Sequence, residues 1–258
     1  MSSAIVSIDK VRFGYNEQDG LVLRDLCLDI RQGSVTALLG PNGSGKTTLL
    51  NLCLGWLKPS AGEVRLEGRP LHSIARKQMG RTVSLVPQDE HLPFEYSVLE
   101  YVLLGRAPYL TTLQIPDAGH VEAAHRALRE IGADRWSERG VTTLSAGEKQ
   151  LVMTARSLAQ QPRLLLMDEP SSHLDLANTA RLLDRISALA RSGVTVVLTT
   201  HDPRVASACA TDVALMRNGR ILFAGPTHQA LSAELLSQTY GIDVEVHAVG
   251  RHRMVTWS

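Results

Sequence analysis

Aromatic side chains are scarce in this sequence, and it has no excess of charge of either sign. Only 4% of its 258 residues are Phe, Trp or Tyr, and the formal net charge at neutral pH is +1. Proteins that hold single-stranded nucleic acid stack the bases on aromatic rings, and contact with the phosphates requires a basic surface. The composition therefore argues against nucleic acid as a partner.

Cysteine is also rare, and long apolar runs are missing. Cys27, Cys53 and Cys209 have no paired spacing and lie among apolar residues, so we predict small core residues in a reducing compartment. Residues 1–10 lack the basic start and apolar core of a signal peptide. No apolar run approaches the roughly 18 residues that cross a bilayer. We expect a cytoplasmic chain that reaches a membrane only through a partner.

What the sequence does have is a glycine-rich segment of the form G-x-x-x-x-G-K-[ST]. Residues 34–39 before it are apolar and partly β-branched, as in a buried strand, and no helix breaker follows it until Gly55. Glycines let the backbone turn tightly and direct successive N–H groups at an anion, and the following helix adds its positive dipole end. We predict that the following residues bind a nucleoside triphosphate: Gly40, Pro41, Asn42, Gly43, Ser44, Gly45, Lys46, Thr47 and Thr48.

Three side chains near this segment have predicted roles of their own. Lys46 is expected to reach the terminal phosphates, and the Thr47 hydroxyl is expected to ligate Mg²⁺. Tyr15 ends the first predicted strand, and its flat ring suits stacking on a purine base. Taken alone, Tyr15 is better explained as an ordinary strand-end tyrosine.

Polar residues follow three further apolar strands at their carboxyl ends, where open α/β sheets bind ligands. Asp168 and Glu169 come directly after apolar residues 164–167. We predict that Asp168 binds Mg²⁺ directly or through water, and that Glu169 deprotonates the water attacking the γ-phosphate. Gln88 would ligate Mg²⁺, hold a water or be a solvated loop amide. His201 is predicted to hydrogen-bond a γ-phosphate oxygen or to hold the water of Glu169.

Two helix starts are also visible in the sequence. Ser145 and Glu148 have the S-x-x-E spacing of a capping box, which predicts that Ser145 begins a helix. The amides exposed at that helix start could also meet a phosphate. Asp175 is predicted to cap the helix Leu176 to Ala190.

The order of these patterns predicts one α/β domain over residues 1–258. Residues 97–160 have a helical pattern and are predicted to form a helical subdomain inserted into the α/β core. The core itself would comprise about residues 1–96 and 161–258. The apolar segment Leu110 to Ile115 would suit docking to another protein, or ordinary packing equally well.

Taken in order, these residues resemble the ATPase subunits of ATP-binding cassette (ABC) transporters over essentially the whole chain. The resemblance rests on Tyr15, the loop Gly40 to Thr48, Gln88, Leu144-Ser145-Ala146-Gly147-Glu148, Leu164 to Glu169, Ser172-His173-Leu174-Asp175 and His201. It implies a P-loop NTPase core with a mixed sheet, an N-terminal antiparallel β subdomain and an inserted α-helical subdomain. It also implies that the chain hydrolyses ATP with Mg²⁺ and that Tyr15 stacks on adenine.

The resemblance implies further roles at the matching positions. Gln88 would link the metal site to the helical subdomain, and Glu169 would be the catalytic base. Ser145 and Gly147 would bind the γ-phosphate of ATP held by a second copy of the chain, and Asp175 would lie across the dimer interface. Because the chain has one phosphate loop and one such signature, the resemblance implies a homodimer that closes head-to-tail over two ATPs.

The signature departs from the usual Leu-Ser-Gly-Gly-Gln at two positions. Ala146 keeps a small residue, and Glu148 keeps the capping box, so we expect the function to be retained. A carboxylate near phosphate would weaken ATP binding modestly unless it faces its own helix.

Other segments are similar to importers of iron–siderophore, haem and cobalamin: 93–98, 104–109, 172–178 and 240–244. The resemblance then implies two multi-span permease subunits, a periplasmic or surface substrate-binding protein reached indirectly, and a peripheral position on the cytoplasmic face of the inner or plasma membrane. Molybdate importers share several of these features. Alternatives are therefore a molybdate-type oxyanion importer ATPase and a soluble ABC ATPase acting in cofactor assembly or on nucleic acid. A P-loop kinase would leave Ser145 and His201 unexplained.

Overall fold

The computed structural model describes residues 3–16, 20–90, 94–111, 113–250 and 252–257. The chain forms two units, one made of Met1–Ile74 with Ile186–Ser258 and the other of Ala75–Arg185. The predicted helical subdomain at residues 97–160 lies within the second unit, and its boundaries stay a prediction. Pro93, part of the importer-like segment at residues 93–98, lies outside the described residues.

The bounds of the regular elements follow in chain order. The strands are β1 (Ala4–Phe13), β2 (Leu23–Arg31), β3 (Val35–Leu39), β4 (Ala61–Leu66), β5 (Arg69–Pro70), β6 (Val83–Val86), β7 (Leu164–Met167), β8 (Thr195–Thr200), β9 (Asp212–Arg217), β10 (Arg220–Pro226), β11 (Val244–Val249) and β12 (His252–Trp257). The α-helices are α1 (Lys46–Cys53), α2 (Arg76–Thr82), α3 (Val98–Leu103), α4 (Ala118–Ile131), α5 (Ala146–Ala159), α6 (Leu176–Arg191), α7 (Pro203–Cys209), α8 (Thr227–Ala230) and α9 (Ala233–Tyr240). Short 3₁₀ helices span Leu71–Ser73, Leu104–Tyr109, Asp134–Trp136 and Val141–Thr143.

An antiparallel sheet forms the N-terminal part of the first unit, as predicted. Its strand order is β2-β1-β4-β5. Along β2, buried Leu26, Leu28 and Ile30 alternate with exposed residues, because successive side chains of a strand point to opposite faces. Cys27 falls on the exposed face, so the prediction of a core residue was wrong for this cysteine.

The other two cysteines behave differently from Cys27. Cys53 is buried in α1, and Cys209 is half-buried at the end of α7. Burial raises the pKa of both thiols to about 12, because the apolar surroundings disfavour the thiolate. Both thiols therefore stay protonated at neutral pH and are poor nucleophiles.

A sheet of the first unit contains both parallel and antiparallel strand pairs, and it brings the ends of parallel strands together. Strand β3 lies between β8 and β9, parallel to both, and β10 pairs antiparallel with β9. All five residues of β3 are buried, which explains why all but Thr36 are apolar. Leu39 pairs with Thr200, so Gly40 and His201 follow directly at the same carboxyl edge. The sheet thus presents two predicted site segments side by side.

The second unit combines a parallel strand pair with helices. Strands β6 and β7 run parallel, with Val86 opposite Met167. Helix α4 is capped by Asp117 and ends at Gly132 with φ 79°, as its sequence predicts. Gly105 would end α3 by its sequence alone, but the 3₁₀ helix Leu104–Tyr109 continues through it. A Cβ at Gly105 would lie 2.1 Å from the carbonyl oxygen of Arg156, so glycine allows close packing on α5.

In the part of the chain that the structure describes, no helix is both long and apolar enough to span a membrane.

Candidate functional site

The phosphate loop follows β3 and is built around close backbone approaches. The Gly40 N–H donates to the carbonyl of Thr200 over 3.3 Å, which fixes the start of the loop on β8. A Cβ at Gly40 would lie 2.1 Å from the carbonyl oxygen of Met216. Gly43 and Gly45 have φ values of 76° and 101°, which L side chains rarely adopt. The loop therefore requires glycine at these three positions.

Polar groups converge inside this loop. The Lys46 Nζ donates to the carbonyls of Gly40 at 2.9 Å and Pro41 at 3.1 Å, and the side chain is only 6% exposed. The Ser44 hydroxyl is buried and has no hydrogen-bond partner among the described residues. A buried polar atom without a partner is costly, and a phosphate oxygen would satisfy it. The loop is thus suited to hold an anion.

Helix α1 begins at this loop. Gly45 stands at its N-cap in a left-handed conformation, and no side chain caps this start within the described residues. The first amides of the helix point towards the loop, and the helix dipole adds positive potential there. Asn42 and Thr47 are exposed beside the loop, whereas Thr48 is buried.

Tyr15 is joined to the same helix start. Its hydroxyl lies 3.1 Å from the Thr48 Oγ1, and its ring meets Phe13 edge-on with a centroid distance of 5.0 Å. The ring remains 55% exposed. The structure therefore brings an accessible aromatic ring to the phosphate loop, through a contact with Thr48 that no local pattern in the sequence predicts.

His201 follows β8 and has an anchor that the sequence did not reveal. The Tyr240 hydroxyl donates to the His201 carbonyl over 2.8 Å. Burial raises the pKa of Tyr240, so this phenol remains a donor at neutral pH. Tyr240 ends α9, 39 positions along the chain from His201. Only the pairing of distant segments could have shown this contact.

In the second unit, three predicted site residues gather at one strand edge. The Asp168 N–H donates to the Val86 carbonyl over 2.9 Å, which places Gln88 and the acidic pair on the same edge. Asp168 is buried, whereas Gln88 is exposed. Glu169 has φ 42°, an uncommon left-handed conformation for a non-glycine residue. Strained backbone of this kind clusters at functional sites.

The signature segment begins α5 with the predicted capping box. The Ser145 hydroxyl accepts from the Glu148 N–H over 3.3 Å, and the Glu148 carboxylate accepts from the Ser145 N–H over 2.9 Å. Arg139 also donates to that carboxylate over 3.3 Å. The Ser145 backbone bond, assisted by Arg139, holds the pKa of Glu148 below its usual value. Glu148 therefore faces its own helix, the condition under which we expected it to be harmless.

We expect Glu148→Gln to leave kcat for ATP hydrolysis within about threefold, because an amide oxygen can still accept from the Ser145 N–H. The lost ion pair with Arg139 is solvent-exposed and contributes little. Steady-state phosphate release by the purified chain measures the effect. A gain of tenfold or more would contradict this reading, since it would mean that the carboxylate opposes the bound phosphate.

Gly147 and Asp175 both lie next to Asn178, in the first turn of α6. A Cβ at Gly147 would lie 2.8 Å from the side chain of Asn178, so glycine leaves room for that side chain beside the start of α5. The Asp175 carboxylate accepts from the Asn178 N–H over 2.7 Å, which confirms it as the helix cap. Gly147 therefore has a packing role that the sequence did not reveal.

The predicted site residues are divided between the two units. Tyr15, the loop Gly40 to Thr48 and His201 lie in the first, and Gln88, Ser145, Gly147, Asp168, Glu169 and Asp175 lie in the second.

A glycine-rich loop between a buried strand and a helix, with a buried lysine and a buried serine hydroxyl inside it, defines a P-loop nucleotide-binding protein. The family model of ABC transporters matches residues 23–172, more than half of the chain. The chain therefore belongs to the ABC transporter family, as an ABC ATPase that binds ATP. The predicted family and fold class are confirmed.

Known relatives are similar over nearly the whole chain. The hemin import ATP-binding protein HmuV of Burkholderia thailandensis is 39% identical over 249 residues, covering 90% of this chain and 92% of its own length. The manganese transport system ATP-binding protein MntA of Synechocystis is 32% identical over 244 residues, covering 93% and 92%. A solved metal-chelate type ABC transporter in an inward-facing conformation has a TM-score of 0.86 and 30% identity, covering 99% of this chain and 97% of the matched chain.

Proposed function

We propose that this chain is the ATP-hydrolysing subunit of an importer that takes up a metal chelate of the iron–siderophore, haem or cobalamin type. The observation that carries the ATPase part is the phosphate loop, in which Lys46 and Ser44 offer buried donors to an anion. Similarity to a hemin import subunit and to a metal-chelate type transporter supports the proposal that the cargo is a metal chelate. The manganese relative makes a metal ion the second candidate cargo.

The chemistry follows from the charges and donors on these elements. Loop amides, Ser44 and Lys46 would bind the β- and γ-phosphates, where cationic and N–H donors stabilise the charge of the transition state. Glu169 would take the proton of the attacking water, and His201 would donate to a γ-phosphate oxygen. Tyr15 would stack on adenine through its exposed face.

Mg²⁺ fits the oxygen donors of this chain. Among the described residues no three His, Cys, Asp or Glu side chains converge on a metal site. Mg²⁺ is commonly held by one carboxylate, a hydroxyl, waters and the substrate's own phosphates, so a site of Thr47, Gln88 and Asp168 suits it. When bound, the ion would neutralise charge on the phosphates.

A second copy of the chain would complete each ATP site. The helix start at Ser145 is exposed and offers amide donors to a phosphate. With one phosphate loop and one signature per chain, two copies arranged head-to-tail would enclose two ATPs. Asp175 would then lie across the interface. We retain the proposal of one ATP-binding domain over residues 1–258, with a helical subdomain at about 97–160 between core segments 1–96 and 161–258.

The helical subdomain also carries an apolar surface for a partner. Leu113 and Ile115 are 93% and 85% exposed, so ordinary packing within the described chain does not account for them. We propose that two multi-span permease subunits cover these side chains and hold the ATPase at the cytoplasmic face of the membrane. A substrate-binding protein would deliver the cargo to the permease. Nucleic acid is not a proposed partner.

The test is to solubilise membranes containing tagged Glu169→Gln chain in the presence of ATP and to identify what co-purifies. A multi-span permease is the expected result. Adding Leu113→Asp and Ile115→Asp should abolish co-purification of the permease. Ile242→Asp, which changes an exposed residue of the first unit, should leave co-purification unchanged. Recovery of cytosolic proteins only would favour the soluble ABC ATPase and refute the importer.

The cargo is tested separately on the binding protein of the same system. Tryptophan fluorescence titration with haem, a ferric siderophore, cobalamin, Mn²⁺ and molybdate compares the candidates directly. Tight binding of one of the first three supports the chelate importer. A preference for Mn²⁺ or molybdate would refute the proposed chelate cargo and leave the ATPase assignment unchanged.

A further inference from the structure

Helix α5 is hydrogen-bonded along β6 and the residues that follow it. From the end of the helix, Gln160 donates to the Val83 carbonyl over 2.6 Å, and the Ser157 hydroxyl donates to the Leu85 carbonyl over 3.0 Å. Near the start of the helix, the Lys149 Nζ donates to the Glu90 carbonyl over 2.9 Å. The backbone on both sides of Gln88 is therefore attached to one helix.

The carboxylate of Glu90 forms the centre of this attachment. One oxygen accepts from Arg156 on α5, and the other accepts from the hydroxyl of Tyr101 on α3. The Arg156 guanidinium also lies over the Tyr101 ring, 5.1 Å from its centroid. Tyr101 is fully buried, and burial raises the pKa of its phenol, so the phenol stays protonated and donates.

This ion pair differs from the surface pairs of the same unit. The side chains of Arg156 and Glu90 are only 20% and 23% exposed, whereas those of Arg129 and Glu122 are 51% and 60% exposed. Charge-assisted bonds in a partly buried setting are stronger and less screened than surface pairs. The ion pair of Glu90 with Arg156 therefore attaches the Glu90 loop to α5 more strongly than an exposed surface ion pair would.

The position of Glu90 connects a predicted Mg²⁺ ligand, Gln88, with a predicted phosphate contact, Ser145. Gln88 lies two residues before it in the same loop. Lys149 lies one helical turn after Ser145, and Arg156 lies two turns further along the same face of α5. A displacement of the Gln88 loop would therefore be passed to the helix start that carries Ser145.

We infer that Glu90 is a positioning residue that makes the Gln88 loop and the Ser145 helix start move as one body. ATP bound beside Gln88 of one chain would thereby set the position of Ser145 at the ATP of the other chain. The inference rests on the proposed two-ATP homodimer. Glu90 itself touches no phosphate in this scheme and acts through α5.

The experiment follows amide hydrogen exchange against ATP concentration in the Glu169→Gln chain, which prevents turnover. Residues 40–48 report on ATP binding, and residues 145–149 report on contact with the partner's phosphate. Without a change at Glu90, both segments should gain protection at the same ATP concentration. With Glu90→Ala, we expect residues 145–149 to need about tenfold more ATP, while residues 40–48 shift by less than about twofold.

Each outcome has a distinct meaning. Equal shifts of the two segments, or none, would overturn the role of Glu90. If residues 145–149 gain no protection even with Glu90 intact, the two-ATP dimer fails instead. Glu122→Ala, which breaks the exposed pair with Arg129, is the matched control and should change neither segment.

Two further variants separate positioning from folding. Glu90→Gln keeps the side-chain volume and one acceptor, so a folded chain with an intermediate shift of about threefold is expected. Arg156→Met should reproduce the effect of Glu90→Ala, and combining the two should add little, because both remove the same contact. Additive shifts would contradict a shared role.

Discussion

Replacing Glu169 with glutamine is expected to reduce kcat for ATP hydrolysis at least about a hundredfold, because an amide cannot accept the proton of the attacking water. The volume and the backbone of the residue stay the same, so ATP binding should persist. ATP-bound dimers should then accumulate. Phosphate release measures the first effect, and gel filtration with and without ATP measures the second.

The matched control is Glu138→Gln, which changes an exposed carboxylate in a loop of the same unit. It should hydrolyse ATP at the unmodified rate. If Glu169→Gln retained kcat within about threefold, Glu169 would not be the base, and another group would have to take the proton.

Lys46→Ala is expected to weaken ATP binding by about a hundredfold or more. The buried ammonium is the cation that we propose to face the phosphates, and it donates to the carbonyls of Gly40 and Pro41. Its removal therefore deletes a charge and loosens the loop that presents the amides. Titration with a fluorescent ATP analogue gives the affinity, and the loss of ATP-induced thermal stabilisation gives an independent measure.

Lys58→Ala provides the comparison for this change. Lys58 lies between α1 and β4, outside the phosphate loop. We expect its affinity for ATP to equal that of the unmodified chain. Near-normal affinity of Lys46→Ala would instead mean that the loop amides and Ser44 suffice for binding.

Local sequence patterns predicted the features that depend only on neighbouring residues. The phosphate loop, the cap at Asp117 with Gly132, and the capping box at Ser145 each depend on residues within a few positions of one another. The Asn218-Gly219 hairpin has positive φ at both residues, as its composition predicts. Such features need no knowledge of the tertiary structure.

Local sequence patterns did not predict the features that depend on contacts with other segments of the chain. Strand β12 exists by pairing with β11, and its Arg253 N–H is bonded to Ser207 on α7. The pattern of residues 228–240 indicates one helix, but the structure has two, α8 and α9. Gly105 looked like a helix end, yet its position reflects the approach of Arg156. For β12 and for Gly105, a contact with a segment far along the chain helps to fix the local structure.

The candidate site shows the same division. Motifs predicted which residues belong to it, because phosphate and Mg²⁺ chemistry restricts the residue types at fixed spacings. They did not predict that Tyr15 would be bonded to Thr48, or that Tyr240 would hold the His201 carbonyl. Glu90 belongs to no motif, and only its contacts single it out.

The left-handed backbone of Glu169 has a consequence for any attempt to make this protein more heat-resistant. Glycine would fit φ 42° best, and a side chain held there costs on the order of 1–3 kcal/mol. The residue that would stabilise the fold most at this position is therefore one that cannot take a proton. A search for thermostable variants that ignores activity should select Glu169→Gly. The resulting protein would be more stable but would not hydrolyse ATP.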